Sequence, residues 1–572
     1  MGTMLIFISK LFKNNFIKKI VYTAAVFTSL FLPLVPLVVI GLAIYKGAVF
    51  AGTVGGWQLL AGISYSFDGL AVIIIALGYF ISIPAWIYSR SLPLNYELFD
   101  SIFFIQLAFL SATAITTDVF NIFVCLEVLG ITSYVLVVFA NKPSAWLASL
   151  SYLLVSATAM LLFLIGLYFL YNITGTLSLQ EMGIRILLQS AYNLQILISA
   201  VLIISAIALR VAVVPVYGWL PDAHAMAIHP VSAVLSGILI KTPLFVLVRF
   251  VVIFPFSRII GEAFAVAGAL TALVGVLLAL GQHDAKRLLA YSSVSQIGYI
   301  VCAWGLALKT GLETPLGKFY FTAAFMHALF HGMFKGLLFL AVGTVLDVSE
   351  SRDVFMIKNS MVKLTKFGFP SIIVLLAYVS GALSITAVPP WNGFISKTLI
   401  VGSVKSGVLY WFLLLASVGT VASFIKLSRI FWMRDKKQSV EGASSVTQSS
   451  RKKQFIAFAL VLGIFLCLVS GITGIWLYKL FYRFIALWIG DTAVYELSYR
   501  FYSLSVLSKT VLTLIAGAFV YLVLQIRRFR QVLEIIALRT RSFSGLFFAF
   551  FSAFTVLFVY VALNSISLNL PN

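Results

Sequence analysis

Acid is scarce in this chain. Asp and Glu number 18 against 40 Lys and Arg, and only 10% of the 572 residues carry charge, where a soluble domain carries roughly a quarter. So little charge on so long a chain excludes a string of soluble domains joined by linkers. Cysteine is scarcer still. Cys125, Cys302 and Cys467 all lie in apolar runs without Cys-x-x-Cys spacing, which excludes a disulfide framework, haem attachment and iron-sulfur ligation. No cofactor is expected, and any electrons are carried by another protein. What is abundant is apolar sequence, 62% of residues, in stretches of about 20 that recur from end to end, each long enough to cross a bilayer. The expected fold is an all-α polytopic membrane protein. The net charge of +22 implies no nucleic acid, because the cations collect in short loops between apolar runs, as membrane topology requires.

The runs place about fifteen transmembrane helices, near 20–45, 66–88, 98–115, 117–139, 144–171, 193–214, 225–250, 262–281, 287–308, 320–346, 369–405, 409–432, 454–478, 504–526 and 543–564. Lys10, Lys13, Lys18 and Lys19 precede the first run and no small-residue cleavage site follows it, so residues 1–19 read as a cationic cytoplasmic N-terminus before a retained anchor. The loops holding Arg90, Lys142, Lys286, Arg287, Arg352 to Lys366, Arg434 to Lys453 and Arg527 to Arg541 then fall on one side. That predicts a multi-pass protein of the cell (inner) membrane, N-terminus cytoplasmic and C-terminus opposite. The Ser-, Gln- and Lys-rich stretch 433–453 reads as a cytoplasmic linker. Residues 527–541, cationic with interleaved apolar side chains, read as a short interfacial helix.

An ionisable residue in the hydrocarbon layer costs roughly 2.5–3.5 kcal/mol on insertion scales and marks a functional candidate. Glu127, Arg210, Lys241, His327, His331, Lys335 and Lys397 lie inside or beside apolar spans, forming a polar axis suited to proton relay. Glu127 with Arg210 also reads as a structural ion pair, since either charge alone is too costly to bury. His327, His331 and Lys335 are spaced four apart and share one helix face. Two His at that spacing suit a metal, but no acid joins the stripe and a cation follows. A relay through His, which titrates near neutrality, is expected instead, and no metal. Proline breaks at Val213-Val214-Pro215, after Arg210, and at Ala387-Val388-Pro389-Pro390, before Lys397, each lie beside a basic residue. Discontinuous helices of this kind expose backbone groups to an ion; prolines that merely end a span are the plainer reading.

A series of motifs runs along more than half of the chain. They are GGW (Gly55 to Trp57), FDGL (Phe67 to Leu70), LEVLGITSY around Glu127, WLPDAH (Trp219 to His224), PVSAVLSGILIKT (Pro230 to Thr242), HDAKRLLAYSSVSQIGY (His283 to Tyr299), HALFHGMFKGLLFLAVGTV (His327 to Val345) and PPWNGFISK (Pro389 to Lys397). In this order and spacing the chain resembles the proton-translocating antiporter-like family. That family comprises the large membrane subunits of respiratory complex I, those of membrane-bound hydrogenases, and the D-type subunit of Mrp cation/proton antiporters. The resemblance implies two inverted five-helix repeats, 116–281 and 282–432, each with a broken helix, between N-terminal helices in 20–115 and C-terminal helices in 454–572. It implies that Glu127 pairs with a basic residue on the first broken helix and that Lys241 connects the halves. His327, His331 and Lys335 form the central relay, Lys397 is the terminal lysine, and Asp222 and His224 belong to a channel mouth or a structural loop. The implied partners are other membrane subunits of one complex, with H+, and Na+ in exchange, as the transported ions.

No redox or hydrolytic centre of its own is expected. The complex reads either as an Mrp-type antiporter or as a proton-translocating NADH:quinone oxidoreductase or hydrogenase; a standalone carrier and a scaffold with silent channels are the alternatives. The chain departs from the family pattern twice. Arg210 stands nine residues before Trp219 where the family has lysine, and one span rather than two precedes GGW. An arginine stays protonated, so the first half-channel is expected to be silent or to depend on Glu127.

Overall fold

The computed structural model describes every residue except 58–61, 190–192, 405–406, 435–449, 492–498, 500, 540–542 and 568–572. Most of the expected linker 433–453 and the end of the 527–541 stretch therefore lie outside the described residues.

In chain order the helices are α1 Gly2–Ser9, α2 Asn15–Leu30, α3 Leu34–Tyr45, α4 Gly69–Ser89, α5 Tyr96–Ile115, α6 Val119–Val138, α7 Pro143–Thr174 and α8 Leu179–Leu187. They continue as α9 Leu194–Val211, α10 Leu220–Met226, α11 His229–Val234, α12 Lys241–Val251, α13 Ser257–Leu280, α14 Ala285–Thr310, α15 Pro315–Asp347 and α16 Ser360–Lys366. The last are α17 Ser371–Ile385, α18 Asn392–Ser403, α19 Val408–Trp432, α20 Ser450–Ile472, α21 Gly474–Ile489, α22 Leu504–Val523, α23 Arg527–Arg539 and α24 Phe543–Ser567. Polar residues at the loop ends start several of them: Asp68, Asn95, Asp118, Asp284 and Thr314 each accept a hydrogen bond from a first-turn amide.

Among the described residues, twelve helical segments are long and apolar enough to cross a membrane. The sequence placed fifteen spans, and two of the differences have visible causes. The run 369–405 is not one helix but two, α17 and α18, parted at Ala387. The 26-residue α14 is long enough to span but is less apolar than the other spans, because it carries Ser292, Ser293, Ser295 and Gln296, all buried inside the protein. One element was not foreseen at all: strands β1 Phe50–Thr53 and β2 Ser64–Phe67 pair antiparallel as a small hairpin.

Two elements form the centre. The segment α11 to α12 is enclosed along its whole length, and α15, at 33 residues about 50 Å long, is buried along almost all of its span. Around them α13 and α14 pack backbone to backbone. Gly261, Gly268 and Gly275 on α13 face Gly305, Gly298 and Ser295 on α14, and a Cβ at Gly268 would lie 2.3 Å from the Cys302 amide. Small residues at seven-residue spacing permit that approach where lipid supplies no hydrophobic drive.

Candidate functional site

The two proline breaks share one backbone. After α9, Ala212 takes φ +61° and the Val214-Pro215 bond is cis; after α17, Ala387 takes φ +60° and the Pro389-Pro390 bond is cis. The left-handed alanine stands three residues before the cis-proline in both, so each span stops inside the protein and resumes as a second helix. Each break leaves helix-end carbonyls without their intrahelical donors.

At the first break the Trp219 indole donates to Leu209 O at 2.9 Å. Trp219 stacks on Tyr152 at 4.3 Å, and Tyr152 meets Tyr134 edge-on at 4.7 Å. Arg210 passes Gly130, whose missing Cβ would lie 3.3 Å from the guanidinium, and donates to Leu126 O at 3.0 Å. Its Nη1 lies 3.9 Å from Glu127 Oε1, with no hydrogen bond closing the pair. The expected partnership of Glu127 and Arg210 is thus a loose ion pair, Arg210 buried and Glu127 partly exposed.

At the second break the lysine itself supplies the donor. Lys397 Nζ reaches back from α18 to Ile385 O at 3.1 Å and lies 4.8 Å from the centre of the Tyr299 ring. Its chain neighbour Ser396 lies 2.9 Å from His327 Nδ1, and Gln296 Oε1 lies 3.2 Å from His327 Nε2. Lys397 and His327 therefore form one station.

Lys241 and Lys335 form the central one with His331. A π-helical turn, Leu235–Leu239, precedes Lys241 and leaves carbonyls free; Nζ takes Ser236 O at 2.6 Å and Gly237 O at 2.5 Å. Lys335 donates to Leu289 O at 2.9 Å and to the Ser292 hydroxyl. His331 lies 6.3 Å, ring to ring, from His327 on the same face of α15, and Lys241 and Lys335 are the cations that bear on it. Neither ring nitrogen of His331 has a hydrogen-bond partner among the described residues. Lys241, His327, His331 and Lys335 are all enclosed, and none of the four is salt-bridged to a carboxylate among the described residues.

The WLPDAH loop divides. Asp222 Oδ1 pairs with Arg287 at 2.7 Å near the surface, so one motif is tied to another. His224 is wholly buried, and burial, reinforced by Lys241, Lys286 and Lys335, pushes it down to about 3, so it is neutral at physiological pH.

Several buried charges escaped the sequence reading. Arg249 pairs with Asp68 of FDGL at 2.7 Å, and Arg90 pairs with Asp100 at 2.5 Å. Lys318 pairs with Asp491. Lys286, expected in a cationic loop, is buried with Nζ on Ala227 O at 2.5 Å. Lys426 is buried on α19. Arg249 and Lys426 carried the signal that singled out Arg210, a lone cation within an apolar run.

The family model described as NADH:quinone oxidoreductase/Mrp antiporter matches residues 116–423. NADH-quinone oxidoreductase subunit N of Desulforudis audaxviator is 30% identical over 400 residues, 67% of this chain and 75% of that protein. The D-type Na(+)/H(+) antiporter subunit of Alkalihalophilus pseudofirmus is 27% identical over 364 residues, 63% of this chain and 70% of the other. Among solved structures, a chain of the Mrp complex from a Dietzia species superimposes with a TM-score of 0.71 at 22% identity, covering 81% of this chain and 92% of that one. A chain of the membrane-bound sulfane sulfur reductase, an archaeal respiratory membrane complex, gives 0.70 at 22% identity, covering 85% and 95%. The matched region holds Glu127, both breaks and every buried station, and the chain belongs to the NADH:quinone oxidoreductase/Mrp antiporter family of membrane proteins.

Proposed function

We propose that this chain is the proton-translocating membrane subunit of a larger complex, and that protons pass along the buried axis to Lys397. The supporting observation is the station at the second break, where Lys397 and His327 lie 4.8 and 5.9 Å from the same Tyr299 ring and His327 is within hydrogen-bond reach of Ser396. The ammonium is held by a carbonyl rather than a carboxylate, so losing its proton leaves no orphaned acid. Lys241, His331 and Lys335 relay from the centre, and charge at one station biases its neighbours. Glu127 sets the field at the Arg210 end. A guanidinium does not release a proton at any relevant pH, so the first half tunes and the second half conducts.

The family includes antiporter and respiratory subunits. Exchange of H+ for Na+ and coupling to a redox enzyme are the two forms this reading takes. Co-purifying chains separate them: iron-sulfur or nickel subunits indicate redox coupling, and small hydrophobic subunits alone indicate an antiporter. The orientation that fits the cationic loops has the N-terminus in the cytoplasm and the C-terminus on the other side of the inner membrane. In vesicles carrying the assembled complex, Lys397→Ala and Glu127→Gln are expected to abolish proton transport while the complex still assembles. Retained gradients in both variants overturn the proposal.

A further inference from the structure

The two breaks differ in what covers them. At the second, α20 lies directly on the chain, and a Cβ at Gly471 would meet Pro390 O and the Asn392 amide nitrogen. At the first, residues 213–216 instead form one wall of a cavity of about 680 Å³. Its other walls include Ala208 on α9, Ala267 and Leu270 on α13, and Val556 on α24. Sites that hold small organic molecules are roughly 300–1,000 Å³.

The run of α13 gives the depth of this cavity. The helix ends at Leu280, beside the cationic-loop face. Glu262, also in the cavity wall, lies about 27 Å back along the helix, near the opposite surface of a hydrocarbon layer about 30 Å thick. From Glu262 to Leu270 is about 12 Å. The cavity therefore runs from that surface to about mid-depth, the span of one lipid leaflet. Val266 and Leu270 on α13 and Val556 on α24 are exposed, so its mouth faces sideways, where the bilayer lies. Walls this apolar do not hold water, and what the bilayer offers in its place is hydrocarbon.

Among the described residues, Glu262 is the one charged member of the wall. It pairs with Lys309 at 2.7 Å, both half exposed, and the Tyr560 phenol, which also lines the cavity, bears on the same carboxylate. A carboxylate accepts about four hydrogen bonds and an ammonium donates three. The pair therefore keeps positions of both signs for a headgroup that carries both charges. Arg258 and Glu313, paired at 2.6 Å, continue this mixed-charge surface beyond it.

We propose that the cavity binds one phospholipid with a primary-amine headgroup, of the phosphatidylethanolamine type. An acyl chain lies against the first break, the ammonium meets Glu262 and the phosphate meets Lys309. The lipid covers residues 213–216 as α20 covers the second break. The outer wall is α24, beyond residues 116–423, where the family model matches, so the site is a feature of this chain's own C-terminal part. It is independent of the proton-conducting reading.

The assembled complex, stripped of lipid in detergent, is titrated with phosphatidylethanolamine and with phosphatidylcholine of the same acyl chains, and bound lipid is counted by native mass spectrometry. One site is expected to take the ethanolamine lipid about tenfold more tightly, the scale of one charge-assisted hydrogen bond, because the trimethylated choline nitrogen donates none. Ala267→Phe fills the cavity and should remove that site for both lipids. Glu262→Gln should leave the site and abolish its preference for the amine. If A267F fails to assemble, Ala208→Phe fills the same cavity from α9 in its place, and E262Q is read alone. An unchanged lipid count in the filled variant, equal affinity for the two headgroups in the wild type, or an unchanged preference in E262Q overturns the proposal. So does a site that takes a quinone or a partner subunit's helix instead of phospholipid. Transport is not the readout, so failure of the K397A and E127Q predictions rejects the proton-conducting reading and leaves the lipid site standing.

Discussion

The two helix breaks have the same backbone and different chemistry. In each, an alanine at φ near +60° stands three residues before a cis-proline, and a helix-end carbonyl takes a side-chain donor. At the first break that donor is the Trp219 indole, and the nearby cation is an arginine that turns away to Leu126 O and Glu127. At the second it is Lys397 itself. The fold requires a donor at each break and is indifferent to whether the donor titrates. One end of the axis is therefore fixed in charge, and the other carries a cap that can give up a proton.

Substitutions that exchange the two characters test this difference. Lys397→Arg retains the cap on Ile385 O and removes the exchangeable proton; transport is expected to fall about 100-fold, the scale of a lost acid-base group, with assembly intact by size-exclusion chromatography. A rate within a few-fold of wild type means the cap alone matters. Trp219→Phe removes the indole donor from Leu209 O, which keeps the Ala212 N–H at 3.3 Å, at a cost of about 0.5–1.5 kcal/mol. It should lower the thermal midpoint while leaving transport per assembled complex unchanged. Arg210→Lys gives the first break a releasable proton, and a few-fold change in rate together with a new pH dependence is expected; an unchanged rate and profile counts against the arginine as what silences the first half. Ala212→Gly and Ala387→Gly should have the smallest effects. Glycine relieves a left-handed conformation costing about 1–2 kcal/mol but gives up a methyl worth roughly 0.8 kcal/mol, so each should raise stability by no more than about 1 kcal/mol, and by similar amounts if the breaks are equivalent.

Much of this was legible in the sequence because a bilayer makes charge conspicuous. Glu127, Arg210, Lys241, Lys335 and Lys397 stand out in apolar runs, and all but the partly exposed Glu127 are buried. The breaks were visible as proline clusters, but the second was absorbed into one long span because Ser371–Ile385 and Asn392–Ser403 are both apolar enough to read as its two ends. Depth was the harder quantity. Lys286 and Arg90 sit at span ends, where a long side chain can run either to water or inward, and only the neighbouring elements send them inward to Ala227 O and Asp100. The hairpin Phe50–Thr53 with Ser64–Phe67 is too short to show a strand pattern among apolar spans.

The glycine contact between α13 and α14 also limits how the protein can move. These helices close the 116–281 segment and open the 282–432 segment, and Gly261, Gly268 and Gly275 bring them so close that a Cβ would meet the facing backbone. Carriers that rock one bundle against another need a lubricated seam, and here the seam is riveted. On the proposed function, traffic across this seam is electrical: protons shift and fields change with little movement of the two helices against each other.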